Sequence, residues 1–166
     1  MTKVGLLSDT HGYLHPKIFS FFKDCDEIWH AGDIGNIETY DKLKAFKPVK
    51  AVFGNIDGGN LRLLPESKVF MCENVKVMMI HIGGYPCRYA KGISQRIKEV
   101  RPKLFISGHS HILKVINDQR NNLLHINPGA AGISGFHNKI TLVKFIVNKE
   151  MISDLSIFET DRKISK

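Results

Sequence analysis

The sequence has no run of roughly 20 apolar residues, the length that a membrane-spanning helix requires. Its apolar stretches, such as Val77–Ile80, end within a few residues at a polar group. No membrane span is expected. The N-terminus also lacks the apolar region of about 7–15 residues that a secretory signal needs, because Val4–Leu7 gives way at once to Ser8 and Asp9. A cytoplasmic location is the resulting expectation. Cysteine is scarce: Cys25, Cys72 and Cys87 are odd in number and far apart, which argues against both a disulfide framework and a structural zinc cage of close-set thiolates. Also missing are runs of five or six like charges and any interleaving of aromatics with basic residues of the kind single-strand binders use. The formal net charge of +8 is scattered along the chain, so dedicated nucleic-acid binding is not expected.

What remains is the composition of an ordinary globular protein, 43% hydrophobic and 24% charged over 166 residues, which predicts one domain spanning residues 1–166 with a sizeable core. Lys3–Ser8 reads as a buried strand, and helical spacing follows after Pro16 with Ile18, Phe19, Phe21 and Phe22. Glu27–His30 gives a second strand, residues 37–46 a second helix, and Pro48–Phe53 a third strand. From Lys68 the texture changes. Lys68–Cys72 and Val75–His81 predict a hairpin, Arg88–Val100 a helix stopped by Pro102, and Leu104–Ser107 another strand. Leu113–Asn117, Leu123–Ile126, Lys139–Val147 and Met151–Phe158 complete the strands, and Ile164–Lys166 reads as a frayed tail. βα alternation followed by a strand-rich half predicts the α/β class, with two packed sheets and helices outside them.

The chemistry sits at the strand ends. Asp9 and His11, then Asp33, Asn55, His81, and finally His109 and His111 each follow an apolar strand, most of them beside a glycine. In α/β proteins the carboxyl ends of neighbouring strands point into one crevice, so these seven potential ligands are expected to converge. Asp9-Thr10-His11 and His109-Ser110-His111 each place two donors two residues apart, on one face of an extended segment. Mixed carboxylate and imidazole donors without thiolates suit Mn2+, Ni2+, Fe2+, Co2+ or Zn2+ in a catalytic site. Any one of these residues alone would read as a turn, a cap or a satisfied core histidine; their recurrence carries the argument.

The order of motifs resembles the calcineurin-like metallophosphoesterase superfamily. Its blocks are matched by Asp9-Thr10-His11, Gly32-Asp33, Gly54-Asn55-Ile56-Asp57, His81 and Gly108-His109-Ser110-His111, over residues 1 to 132. The short length and the Asn127-Pro128-Gly129 turn look like the small prokaryotic phosphodiesterase branch, a single-domain αββα sandwich of two mixed sheets flanked by helices, whose fold is shared with the eukaryotic retromer scaffold subunit. By that resemblance Asp9, His11, Asp33 and His111 hold one metal and Asp33, Asn55, His81 and His109 the other, with Asp33 shared. Two divalent ions, Mn2+ first among them, are then implied, with a metal-bound hydroxide attacking a small phosphate ester in line. The implied activity is phosphodiester hydrolysis.

Two departures bear on proton delivery. Ile56 stands where the larger phosphatases have His after Gly-Asn, and His81-Ile82-Gly83 replaces the His-Gly-His of many small members. His137, just past the glycine-punctuated Gly132–Phe136, is the candidate general acid in their place. His30 reads equally as a support for the ligands or a buried strand residue, Asp57 as a support for Asn55 or nearby backbone, and His125 as structural. A protein-interaction scaffold with a vestigial metal site and a metal-dependent nuclease are the alternative readings.

Overall fold

Neighbouring apolar residues in the strands point to opposite faces, and that alternation builds the layers. The computed structural model describes residues 1–162, so the expected frayed tail lies outside the described residues. Two five-stranded mixed sheets face each other. The first runs β12 (Met151–Asp161), β11 (Lys139–Asn148), β1 (Thr2–Leu7), β2 (Glu27–His30), β3 (Val49–Ala51), with β1, β2 and β3 parallel. The second runs β4 (Ser67–Cys72), β5 (Val75–Ile80), β8 (Leu104–Ile106), β10 (Leu123–Pro128), β9 (Leu113–Asp118), with β5, β8 and β10 parallel. A small hairpin of β6 (Gly84–Tyr85) and β7 (Arg88–Tyr89) stands apart.

The inner faces meet in one apolar cluster. Val4 and Leu6 of β1 and Trp29 of β2 pack there with Val77 and Met79 of β5, Leu104 and Ile106 of β8, and Ile126 of β10. Trp29 spans the gap: its ring meets Phe70 of β4 edge-on at 4.9 Å and Phe145 of β11 at 5.7 Å. The alternate residues cover the outer faces. Leu7, Ile28 and Leu142 pack under α1 (Lys17–Phe21) and α2 (Ile37–Phe46) through Ile18, Phe22 and Leu43. Met78, Phe105 and Leu123 do the same under α3 (Ile93–Val100) through Ile93 and Ile97. The architecture is the αββα sandwich.

The predicted helix over Arg88–Val100 is shorter than expected and begins at Ile93. Gly92, at φ 83°, starts the helix from a left-handed position, and Pro86-Cys87 turns the preceding residues into the small hairpin. Tyr89 packs on Phe105 at 5.6 Å and donates its hydroxyl to Asp118, which holds it in that strand. A turn of 3₁₀ helix, Gly59–Leu63, was not legible in the sequence. Among the described residues no helix is long and apolar enough to cross a membrane.

His125 of β10 is fully buried; its Nδ1 donates to the Phe105 carbonyl at 3.2 Å, and its Nε2 has no hydrogen-bond partner among the described residues. Burial pushes its pKa down to about 4, against a partial opposing pull from the Phe105 carbonyl. The unfolded chain, with the ordinary value near 6.5, therefore binds this proton more readily than the folded one. Stability from this residue is complete above that value and is lost as the pH falls toward the folded value, by about 2 kcal/mol at pH 5. His125→Phe should shrink the drop in unfolding free energy between pH 7.5 and pH 5, measured by urea titration, by about 2 kcal/mol. An unchanged drop would show that His125 does not titrate on unfolding.

Candidate metal centre

Parallel strands from both sheets deliver the candidate ligands to one edge of the sandwich. Asp9 and His11 follow β1, Asp33 follows β2 and Asn55 follows β3; from the second sheet, His81 follows β5, and His109 and His111 follow β8. Ligand atoms of Asp9, His11 and His111 lie within 4.8 Å of one another, and those of Asp33, His81 and His109 form a second such group. Asn55 joins the second group, its Oδ1 being 3.1 Å from His81 Nε2. All seven residues expected to converge are brought together.

The local backbone differs from the extended pairs that the spacing suggested. Asp9 (φ 55°), His11 (47°), Asp33 (55°), His109 (68°) and His111 (59°) are all left-handed, a conformation costing of order 1 kcal/mol each for a side chain with a Cβ. Five of the eleven non-glycine residues at positive φ among the described residues fall at these positions, and backbone strain of this kind often clusters at functional sites. Buried hydrogen bonds hold it. Asp57 accepts from the backbone N–H groups of Ile34, Gly35 and Gly54 at 2.8–3.1 Å, tying the Asp33 loop to the Asn55 loop. Thr10 donates its hydroxyl to the Ile34 carbonyl, so His30 Nε2, 2.9 Å away, must donate to Thr10, while His30 Nδ1 accepts from Gly32 N–H. His30 is thus a buried strand residue that joins the first two ligand loops. Asn127 was quoted in the sequence only as a turn, yet its Nδ2 donates to the Gly108 carbonyl and to Ser110 Oγ, pinning the His109 loop.

The candidate ligand atoms face one another at close range. Asp9 Oδ2 accepts from Ser8 Oγ at 2.7 Å and from His109 N–H at 3.1 Å, while its buried Oδ1 and His11 Nε2 make no well-aligned hydrogen bond among the described residues and face only the other candidate ligands, His111 Nε2 at 3.2 Å from Oδ1 and Asp33 Oδ2 at 3.5 Å from Nε2. His81 Nδ1 lies 2.8 Å from the Ala31 carbonyl and must donate to it, which in the neutral ring leaves Nε2 with a lone pair facing Asn55 Oδ1 and, at 3.2 Å, Asp33 Oδ1. Such a convergence of acceptors fits cations. The two Asp33 oxygens look opposite ways, Oδ1 toward His81 and Oδ2 toward His11 Nε2 at 3.5 Å.

Electrostatics agree. Burial alone would raise the Asp9 and Asp33 carboxyl pKa values, yet hydrogen bonds and charge from the surrounding imidazoles outweigh it and hold both carboxyls below the usual range. The Asp9 hydrogen bond and the Asp33 charge raise the pKa of His11 against its burial, and His81 rises likewise against its own burial because Asp33 and Asp9 face it. Positive charge is favoured at this spot, and a divalent ion would meet the same field.

His137 has two close neighbours. The loop returns it to the rim, but its Nε2 lies 2.8 Å from the Gly132 carbonyl and its Nδ1 2.9 Å from His111 Nδ1. Both ring nitrogens are engaged in this arrangement, and His137 lines the crevice together with His11, Asp33 and Asn55. The rim encloses two adjoining crevices that share Asn55. One, of about 430 Å³, is walled by Ile56, Ile112 and Phe136; the other, of about 240 Å³, by Phe53, Arg62 and Ile82.

A sequence profile described as the calcineurin-like phosphoesterase superfamily domain matches residues 2–150. The chain belongs to the calcineurin-like phosphoesterase superfamily. Within it, a probable metallophosphoesterase of Methanocaldococcus jannaschii is 35% identical over 134 residues, covering 76% of this chain and 67% of the relative. A second, from Methanothermobacter thermautotrophicus, is 26% identical over 163 residues, 92% of this chain and 90% of the relative. Among solved structures, Vps29 of Entamoeba histolytica in complex with Zn2+ superposes with a TM-score of 0.74 at 18% identity, covering 97% of this chain and 99% of that one. A predicted phosphoesterase of Streptococcus pneumoniae gives 0.69 at 16% identity, over 97% and 90%. These two show the shared fold. Calcineurin-like membership, together with the two ligand groups, supports a metal-dependent phosphoesterase.

Proposed function

We propose that this chain is a two-ion phosphodiesterase acting in the cytoplasm on small phosphodiesters. The carrying observation is that two groups of ligand atoms meet at Asp33, while two crevices meet at Asn55. Asp9, His11, His111 and Asp33 Oδ2 would hold one ion, and Asp33 Oδ1, Asn55, His81 and His109 the other. Bound divalent ions would bring the pKa of a coordinated water near 7 and polarise the phosphoryl oxygens. The Zn2+ complex of the Entamoeba relative supports ion binding by this fold.

The chain's own residues orient the ester. A diester carries two organic arms, and the two crevices provide separate room for them. Ile56, Ile112 and Phe136 present an apolar wall that sheds water around one arm. Arg62 lines the other crevice, its Nε donating to the Asp57 carbonyl at 2.5 Å and its guanidinium stacked 4.3 Å over Phe53. Held in this way, it offers a fixed positive charge to the phosphoryl group.

No imidazole stands at position 56 or 83, and His137 is engaged elsewhere, so the leaving group departs without a side-chain proton. General acid catalysis is typically worth about 10²–10⁴-fold, and aryl diesters should be hydrolysed faster than alkyl diesters by that order. The test is Mn2+ content of the purified protein alongside a panel of aryl and alkyl diesters and monoesters. Two ions per chain with aryl diesters preferred is the expected result. Monoesters turned over faster than diesters would overturn the diester reading. Less than one ion per chain and no turnover would replace it with an interaction scaffold, and preferential cleavage of nucleic acid with a nuclease.

A further inference from the structure

We propose that His137 is a positioning residue for His111: a single shared hydrogen fixes His111 as the Nδ1–H tautomer and turns its Nε2 lone pair toward Asp9 and His11. The inference rests on the reading that Asp9, His11 and His111 hold an ion.

The direction of each hydrogen bond follows from chemistry. A carbonyl oxygen only accepts, so His137 Nε2, 2.8 Å from the Gly132 carbonyl, carries a hydrogen. In the neutral ring His137 Nδ1 is then an acceptor, and the hydrogen in the 2.9 Å contact comes from His111 Nδ1. His111 Nε2 is left bare, 3.2 Å from Asp9 Oδ1. The circuit closes on itself, because Gly132 N–H donates to the Asp9 carbonyl at 3.0 Å. One residue thus anchors both ends: the Asp9 carbonyl fixes Gly132, Gly132 fixes His137, His137 fixes His111, and His111 faces the Asp9 carboxylate.

The loop is built around this pair. Gly135, at φ 122°, passes so close that a Cβ there would fall 2.4 Å from His111 Nδ1 and 3.2 Å from His137 Nδ1. The two rings meet edge to face, their centroids 4.8 Å apart. Arg162 clamps the loop from β12, its Nη1 donating to the carbonyls of Ile133 at 3.0 Å and Gly135 at 2.5 Å. Partners of this kind fix the tautomer and orientation of a ligating imidazole, and their loss typically costs about 10–100-fold in metal affinity.

The test has two parts. Long-range ¹⁵N ring correlations on the metal-free protein report tautomers directly: His111 should be Nδ1–H and His137 Nε2–H. An Nε2–H His111 in the unaltered protein overturns the proposal without any substitution. Mn2+ titration then compares the parent with His137→Phe, which keeps a ring but no acceptor, and His137→Asn, whose Oδ1 can accept in place of Nδ1. Phe should weaken Mn2+ binding about 10–100-fold and mix the His111 tautomers, whereas Asn should recover most of the affinity. Equal losses in both variants with an unchanged His111 tautomer would mean that His137 only fills space. Should the Phe variant fail to fold, the parent tautomers and the Asn variant decide. If the parent binds no Mn2+, the ion-site reading fails, and the tautomer measurement still decides the role of His137.

Discussion

Asp33→Ala is expected to abolish ion binding at both groups and to reduce diester hydrolysis by at least about 10³-fold, since several kcal/mol of charge stabilisation disappear with the ions and each 1.36 kcal/mol is tenfold in rate. Asp33 faces the two groups with separate oxygens, whereas Asp9 turns a single oxygen, Oδ1, toward His111 at 3.2 Å and, farther off at 3.9 Å, toward His81. Asp33 Oδ1 faces His81 and Oδ2 faces His11, whereas replacing His111 or His81 removes an atom from one group alone. Ion counting by mass spectrometry or plasma emission on the folded variant, checked by circular dichroism, makes the measurement. Two ions retained at parental affinity would overturn the shared role of Asp33. His81→Ala and His111→Ala should each deplete a single ion, which separates a shared ligand from an ordinary one.

Gly54→Ala should be nearly as damaging although it removes no ligand. A Cβ at this position would fall 2.0 Å from Asp33 Oδ1 and 2.3 Å from the Asp33 backbone nitrogen. The side-chain oxygen could swing away, but the backbone nitrogen belongs to a loop fixed by Asp57 through Ile34 and Gly35. The added methyl therefore displaces the Asp33 carboxylate or opens the loop. We expect a loss of about 1–3 kcal/mol in unfolding free energy and at least about 10²-fold in activity, the usual result of misplacing a reacting group by 1 Å. A variant with parental melting temperature and parental turnover would show that the two loops do not meet this tightly.

The convergence of the seven candidate residues was legible because each follows an apolar strand and most lie beside a glycine, so that local sequence alone marks the strand ends. The apolar run Lys3–Ser8 likewise read as a buried strand, and Leu6 and Leu7 pack on its two faces. What failed to show was long-range. Arg88–Gly92 continues a helical pattern in sequence, and only the packing of Tyr89 on Phe105 and its bond to Asp118 reveal a hairpin. Asp57 was legible as a support but not as the acceptor of three N–H groups from two loops. His137 was found by its loop, but its partners, Gly132 and His111, were not legible, because they are fixed by the return of the chain rather than by neighbours in sequence. The left-handed ligands were hidden too, since Asp-x-His reads equally well as extended backbone.

The two ligand groups draw on both sheets, and this gives an ion a second consequence. Asp9 of the first sheet faces His111 of the second, and Asp33 faces His81 in the same way. Parting the layers at this edge would break both pairs at once, so an ion seated there is a fastener across the seam as well as a reagent. Its concentration enters the folding equilibrium by mass action, adding about 2.7 kcal/mol when the free ion stands at 100 times its dissociation constant. If the proposed ions bind, the melting point of this chain would rise with the metal that surrounds it.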